Sequence, residues 1–238
     1  MSEDNENDIS VKVVLIGESG VGKTCIVKQF ASNIFDPNTD VSISSQFNSK
    51  LMEIKGEKKK IRFDLWDTAG QEKYRSLAKI FYKDANIIIF VYEVISKKSF
   101  EELKNYWYNQ VNSNCLANAV FAVVANKNDL YQTAAVLDKE GINWADEIGA
   151  IFQSTSAKTN AGIDQLFENV GKKILNPNYD YKSVDENDKK LYEIKKSNEQ
   201  NKNKDTDDEN FNENIPDVKN IKIDLRDNKK ANNKKKCC

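Results

Sequence analysis

Residues 17–24 read Gly-Glu-Ser-Gly-Val-Gly-Lys-Thr, a glycine-rich run closed by a cation and a hydroxyl. Glycines at these spacings let successive backbone N–H groups turn inward around an anion, and a following helix adds the positive end of its dipole. The chemistry is polyphosphate binding, spread over Ser19, Gly20, Val21, Gly22, Lys23, Thr24 and Cys25. Lys23 reaches the outer phosphates and the Thr24 hydroxyl ligates Mg²⁺. The run alone names neither the nucleotide nor the acceptor of its phosphoryl group.

Two further clusters narrow that choice. Asp67, Gly70 and Gln71 fall within Trp-Asp-Thr-Ala-Gly-Gln-Glu, residues 66–72. A carboxylate at the C-terminal end of a strand sits where sheet ligands bind, and Asp67 can hold Mg²⁺ through water. Gly70 lets its N–H approach a terminal phosphate. Gln71 can orient an attacking water, because loose phosphoryl transfer needs positioning more than a strong base. The second cluster, Asn126-Lys127-Asn128-Asp129, follows an apolar run directly. Guanine offers N1–H and N2–H₂ as paired donors, which one carboxylate, Asp129, accepts together. Adenine has no such pair and would leave that carboxylate unsatisfied. Asn126 ties this loop to the phosphate loop, and the Lys127 stem lies on the base. In the later run Ser154-Thr155-Ser156-Ala157-Lys158, the Ala157 N–H meets the guanine O6, with Ser156 and Lys158 beside it.

These clusters need elements to hold them. Ile9 to Ile16 is a β-branched run that ends at a glycine, and Gly22 to Ser32 reads as a helix. Phe47 to Ile54 and Ile61 to Asp67 flank KGEKK as a hairpin; Ile61, Phe63 and Leu65 alternate with Arg62, Asp64 and Trp66, as in a strand with unlike faces. Ile87 to Tyr92 and Ala119 to Ala125 are continuous apolar runs, expected of central strands covered on both faces. Helices fit Ser99 to Val111, Asp138 to Ile148 and Ile163 to Leu175, the first capped by Ser99 with Glu102 three residues on. The expected fold is α/β, a six-stranded, mostly parallel sheet with helices on both faces.

Composition sets the limits. The chain has 238 residues, is 39% hydrophobic and carries a formal charge of −1, so no basic field argues for nucleic acid. It has no histidine, which excludes imidazole bases and ligands. Cysteines at 25, 115, 237 and 238 suggest neither a disulfide framework nor a metal cluster. The apolar runs fall far short of the ~20 residues that cross a bilayer, and the acidic start, MSEDNEND, argues against a secretory leader. Residues 1–8 are expected to be a flexible N-terminus, 9–175 one domain, and 176–238 a flexible tail rich in Asn, Lys, Asp and Glu, too polar to offset ordering costs.

In order and spacing, the three clusters resemble the Ras-like small GTPases of the P-loop NTPase fold, over residues 9–175. Trp66 before DTAGQE, the Phe90-Val91-Tyr92 strand end and Cys237-Cys238 look most like the Rab branch. The resemblance implies a GTP/GDP switch that hydrolyses GTP slowly with the help of an activating protein and regulates vesicle traffic. It implies Mg²⁺ at Thr24, Ser42 and Asp67, Gln71 as the catalytic residue, and Phe35 packed on the guanine. Phe47, Trp66 and Phe81 match the aromatic triad that Rabs show to effectors. Both Cys237 and Cys238 would be geranylgeranylated, after presentation by an escort protein, and a GDP-dissociation inhibitor would cycle the lipidated chain between cytosol and the cytoplasmic face of membranes. Two lipid chains anchor stably where one is marginal. Lysines 229, 230, 234, 235 and 236 add attraction to anionic lipid. A tail of this length reaches roughly 40 Å. Ile221, Ile223 and Leu225 resemble the aliphatic patch gripped by escort and inhibitor proteins. An exchange factor is implied too, and nothing calls for more than a monomer.

The sequence departs from the family at Ser42-Ile43-Ser44, where Thr-Ile-Gly is usual, and at Glu93, where the family has aspartate. Serine still offers a hydroxyl to Mg²⁺ but lacks the methyl that restricts a threonine rotamer, and Ser44 replaces a freer glycine. The alternative is therefore a binding module, held in the GTP state with hydrolysis impaired. A P-loop kinase for a small substrate is disfavoured by the base-reading cluster.

Overall fold

The computed structural model describes residues 8–37, 46–67, 81–113 and 115–182. Six strands form one sheet: β1 (Ile9–Ile16), β2 (Gln46–Glu53), β3 (Lys60–Asp67), β4 (Ile87–Glu93), β5 (Val120–Asn126) and β6 (Ile151–Ser154). Their order is β2-β3-β1-β4-β5-β6. β2 runs antiparallel to β3, and the other neighbours pair in parallel. The chain steps to one side of β1 for β3 and to the other for β4. The strand order thus reverses at β1, the place in an open α/β sheet where ligands bind.

Side-chain alternation divides the interior into two cores. Val11, Val13 and Leu15 point to one face with Phe63, Leu65, Ile89 and Val124. There they meet α1 (Lys23–Ser32) and α5 (Ile163–Leu175) through Ile26, Phe30, Leu166 and Phe167. The Phe30 and Phe167 rings stack at 3.5 Å, and Phe63 meets both edge-on at 5.7 and 5.5 Å. On the other face Val14, Ile16, Ile88, Phe90 and Tyr92 pack with Phe100, Leu103, Trp107 and Trp144. β4 serves both cores, which is why its sequence has no polar face.

The second core is closed by α2 (Lys97–Glu102), a π turn (Leu103–Trp107), α3 (Tyr108–Asn112) and α4 (Asp138–Glu147). The expected cap at Ser99 is corrected. The helix starts two residues earlier, and the Ser96 side chain accepts from the Ser99 N–H at 3.2 Å. Ser99 is instead buried in the first turn, where its hydroxyl donates to the Ser96 carbonyl at 2.8 Å and accepts from the Glu93 N–H at 3.2 Å. A serine that ties the helix to the end of β4 is not available as its cap. α4 likewise ends at Glu147, and α1 begins at Lys23, with Gly22 as its cap at φ 97°.

Residues 176–182, expected in the tail, pack back on the domain. The Tyr179 hydroxyl donates to Asn169 at 2.9 Å, Lys173 Nζ donates to the Tyr179 carbonyl at 3.0 Å, and Lys182 pairs with Asp146 at 2.5 Å. At the β2–β3 hairpin, Gly56 takes φ 84° and the Lys55 N–H donates to the buried Glu168 of α5 at 3.0 Å. Among the described residues no helix is long and apolar enough to cross a membrane.

Candidate functional site

The phosphate loop is shaped by close backbone approaches. A Cβ on Gly17 would lie 2.2 Å from the Val91 carbonyl oxygen, and one on Gly22 would lie 2.3 Å from Asn126 Nδ2. Gly22 also has φ 97°, in the region that L side chains rarely adopt. No side chain caps the start of α1, so its first N–H groups face the loop as a helix N-terminus. Gly20 is exposed with φ 80°, Val21 is buried, and Ser19 is half-buried.

Lys23 is only 5% exposed, and its Nζ donates to the carbonyls of Gly17 and Glu18, both at 2.8 Å. Burial pulls its pKa down to about 8, with Asp67 and Glu18 pulling upward. A desolvated ammonium is a strong partner for an anion. Beside it the Thr24 hydroxyl donates to Asp67 Oδ2 at 2.5 Å, and Asp67 is 1% exposed. These adjoining hard oxygens are donors of the kind Mg²⁺ takes, one or two from protein and the rest from phosphate and water. The residues therefore fit the ion. When bound, it would neutralise charge on the terminal phosphates.

The end expected to read the base rests on a buried amide. Asn126 is 1% exposed; its Nδ2 donates to the Val21 carbonyl at 2.8 Å, across 105 residues. Its Oδ1 accepts from the Thr155 hydroxyl at 3.1 Å and the Ala157 N–H at 3.4 Å. One side chain thus joins the phosphate loop to both base loops. Asp129 Oδ1 accepts from the Ser156 hydroxyl at 2.7 Å, and Lys158 Nζ lies 3.7 Å from its other oxygen. Lys127, at φ 61°, pairs with Glu93 at 2.5 Å. Glu93 lies opposite Asn126 in the β4–β5 register, and from there its longer side chain holds the lysine head.

A cavity of about 360 Å³ runs between the glycines of the phosphate loop and the Asn126 and Asp129 end, lined by Gly20, Gly22, Cys25, Phe35, Asn126, Lys127, Asp129, Ala157 and Lys158; Lys23, Thr24 and Asp67 are not in its lining. Asp36, Pro37 and Leu130 complete its wall, and the motifs did not mark them. Asp36 and Pro37 follow Phe35 directly, so adjacency was the available signal. Ser42, Gly70, Gln71, Cys237 and Cys238 lie outside the described residues, as do Ser44 and the patch at Ile221, Ile223 and Leu225.

Residues 12–176 match the Ras family. The chain is similar to human Ras-related protein Rab-22A, 38% identical over 164 residues that cover 69% of this chain and 83% of that protein. Over 167 residues it is 35% identical to GTP-binding protein ypt2 of Schizosaccharomyces pombe, covering 70% and 82%. Ras-related protein Rab-18 of Caenorhabditis elegans is 37% identical over 177 residues, covering 74% and 85%. The chain is a Rab-family small GTPase of the Ras type.

In this Rab the aromatic triad forms a line of rings at the β2–β3 edge. Phe47 and Trp66 are cross-strand partners with centroids 5.3 Å apart, and Trp66 lies 6.2 Å from Phe81. Phe47 is 56% exposed, while Trp66 and Phe81 are half-buried and pack against the second core. Lys12 Nζ sits 5.6 Å from the Trp66 ring centre, a cation–π distance.

Proposed function

We propose that this Rab is a GTP/GDP switch that binds Mg²⁺–guanine nucleotide at the described cavity, hydrolyses GTP slowly and recruits effectors on membranes in vesicle traffic. Asn126 carries the reading, because it locks a phosphate-binding loop and a guanine-reading pair of loops into one unit. Lys23 and the N-terminus of α1 hold the phosphates, Thr24 and Asp67 hold Mg²⁺ with Ser42, and Asp129 and Ala157 read guanine against Phe35 and the Lys127 stem. Gly70 senses the terminal phosphate and Gln71 positions the hydrolytic water. A clamp of this kind orders its loops with GTP and releases them with GDP.

Family membership supports the remaining parts of this reading. The sequence marks no arginine as an internal finger, so fast turnover needs an activating protein, and exchange needs its own factor. Effectors meet the Phe47–Trp66–Phe81 line. Lipids on Cys237 and Cys238, added with an escort protein and masked by a GDP-dissociation inhibitor, supply the anchor. No nucleic acid takes part, and the protein acts as a monomer.

A single Mg²⁺-started turnover of bound GTP, in wild type and Gln71→Leu, tests the cycle. Hydrolysis that collapses in the variant supports a cycling switch. GTP retained without hydrolysis in both proteins would make this a GTP-held binding module, the alternative for which Ser42 and Ser44 leave room and against which Gln71 argues.

A further inference from the structure

Glu18 puts a carboxylate inside a loop built for an anion, so its direction matters. It is held from far along the chain: the Trp107 indole N–H donates to Glu18 Oε1 at 3.2 Å, across 89 residues. Trp107 is 4% exposed and is the last residue of the π turn Leu103–Trp107, which the Tyr108 N–H closes onto the Leu103 carbonyl. Such a turn adds one residue to a helical stretch. Each residue of an α-helix advances ~100°, so a regular helix would carry the indole away from the loop. Glu18 is also an anchor for Lys23, whose Nζ bonds the Glu18 carbonyl at 2.8 Å. One residue therefore links the buried ammonium, through its backbone, to the far side of the sheet, through its side chain.

We propose that Trp107 is a positioning residue for the phosphate loop: it fixes Glu18, and with it the carbonyls that seat Lys23, and so slows nucleotide release. This rests on the phosphate site proposed above. The π turn is then the device that aims the indole, and α2–α3 becomes a second support of the nucleotide site beside Asn126.

The test uses the full chain with ¹⁵N-labelled tryptophan, loaded with Mg²⁺–GDP. The Trp107 indole resonance is identified by its loss in Trp107→Phe. Glu18→Ala should shift it upfield, and Glu18→Gln, which still offers an acceptor oxygen, should leave it near the wild-type position. Release of fluorescent GDP should be about five- to tenfold faster in Trp107→Phe and in Glu18→Ala, as for loss of one charge-assisted bond. The double variant should be no faster than Glu18→Ala alone, because that variant already removes the contact Trp107 makes. Release from Trp107→Phe within twofold of wild type, additive effects in the double variant, or an indole signal indifferent to Glu18→Ala would each overturn the role. A wild-type protein that retains no GDP would overturn the phosphate site itself, and the role of Trp107 with it.

Discussion

The two ends of the proposed nucleotide site, one for phosphate and one for the base, are built by different means. At the phosphate end the working groups are backbone N–H groups, a helix terminus and one buried ammonium, in a shape that Gly17 and Gly22 keep because a Cβ would strike Val91 or Asn126. At the base end the working groups are side chains that hold one another, with Asn126 bonded to Thr155 and Ala157, and Asp129 bonded to Ser156. Backbone and point charge bind any polyphosphate with little regard to what it carries. A positioned carboxylate discriminates by donor pattern. On the proposed reading, affinity and specificity belong to opposite ends, and Asn126 is where they meet.

That division can be broken from either side. The largest effect is expected from Asp129→Asn, which exchanges a pure acceptor for a group that also donates. Guanine nucleotides should weaken on the order of a thousandfold, and xanthine nucleotides, with a carbonyl in place of the amino group, should gain; competition against labelled GDP measures both. Lys23→Ala comes next. It should weaken GDP, GTP and xanthine nucleotides by a common factor of about a hundred, as for loss of a buried charge-assisted contact. A factor that changed with the base would erase the boundary between the two ends.

Asn126→Ala should cost about tenfold in GDP affinity and also lower the melting temperature of the nucleotide-free protein. The amide satisfies the Val21 carbonyl and two base-loop donors at once. A loss of affinity with no change in melting would mean that it acts on the ligand alone. Ser156→Ala is the smallest expected effect, about threefold in GDP release, because Asp129 keeps Lys158 nearby at 3.7 Å.

The same contrast explains what the sequence made legible. The phosphate loop is a local device, eight consecutive residues whose types state their task, and the strands beside it declared themselves by alternation in β3 and unbroken apolarity in β4. The residues expected to read the base stood out by type, but the bond from Asn126 to Val21 spans 105 residues and no local pattern encodes it. The cap was misplaced because Ser99 and Glu102 match a capping box, whereas Ser96 has another serine three residues on. Only the tie between Ser99 and the end of β4 decides between them. The π turn left no sequence signal, and Trp107 fell unmarked within the helix expected from Ser99 to Val111. Tyr179 was hidden by its polar neighbours, since composition averaged over a window cannot see one ring whose hydroxyl finds Asn169.

The most direct measurement is a displacement series on the full chain carrying labelled GDP in Mg²⁺ buffer, with GTP, ATP and xanthosine triphosphate as competitors, for wild type and Asp129→Asn. Wild type should release its label to GTP at concentrations at least about a hundredfold below those needed with ATP or the xanthine nucleotide. The variant should reverse the order of GTP and the xanthine nucleotide while still rejecting ATP. Equal displacement by GTP and ATP in the wild type, or an unchanged order in the variant, would contradict a guanine site read by Asp129 and the function built on it.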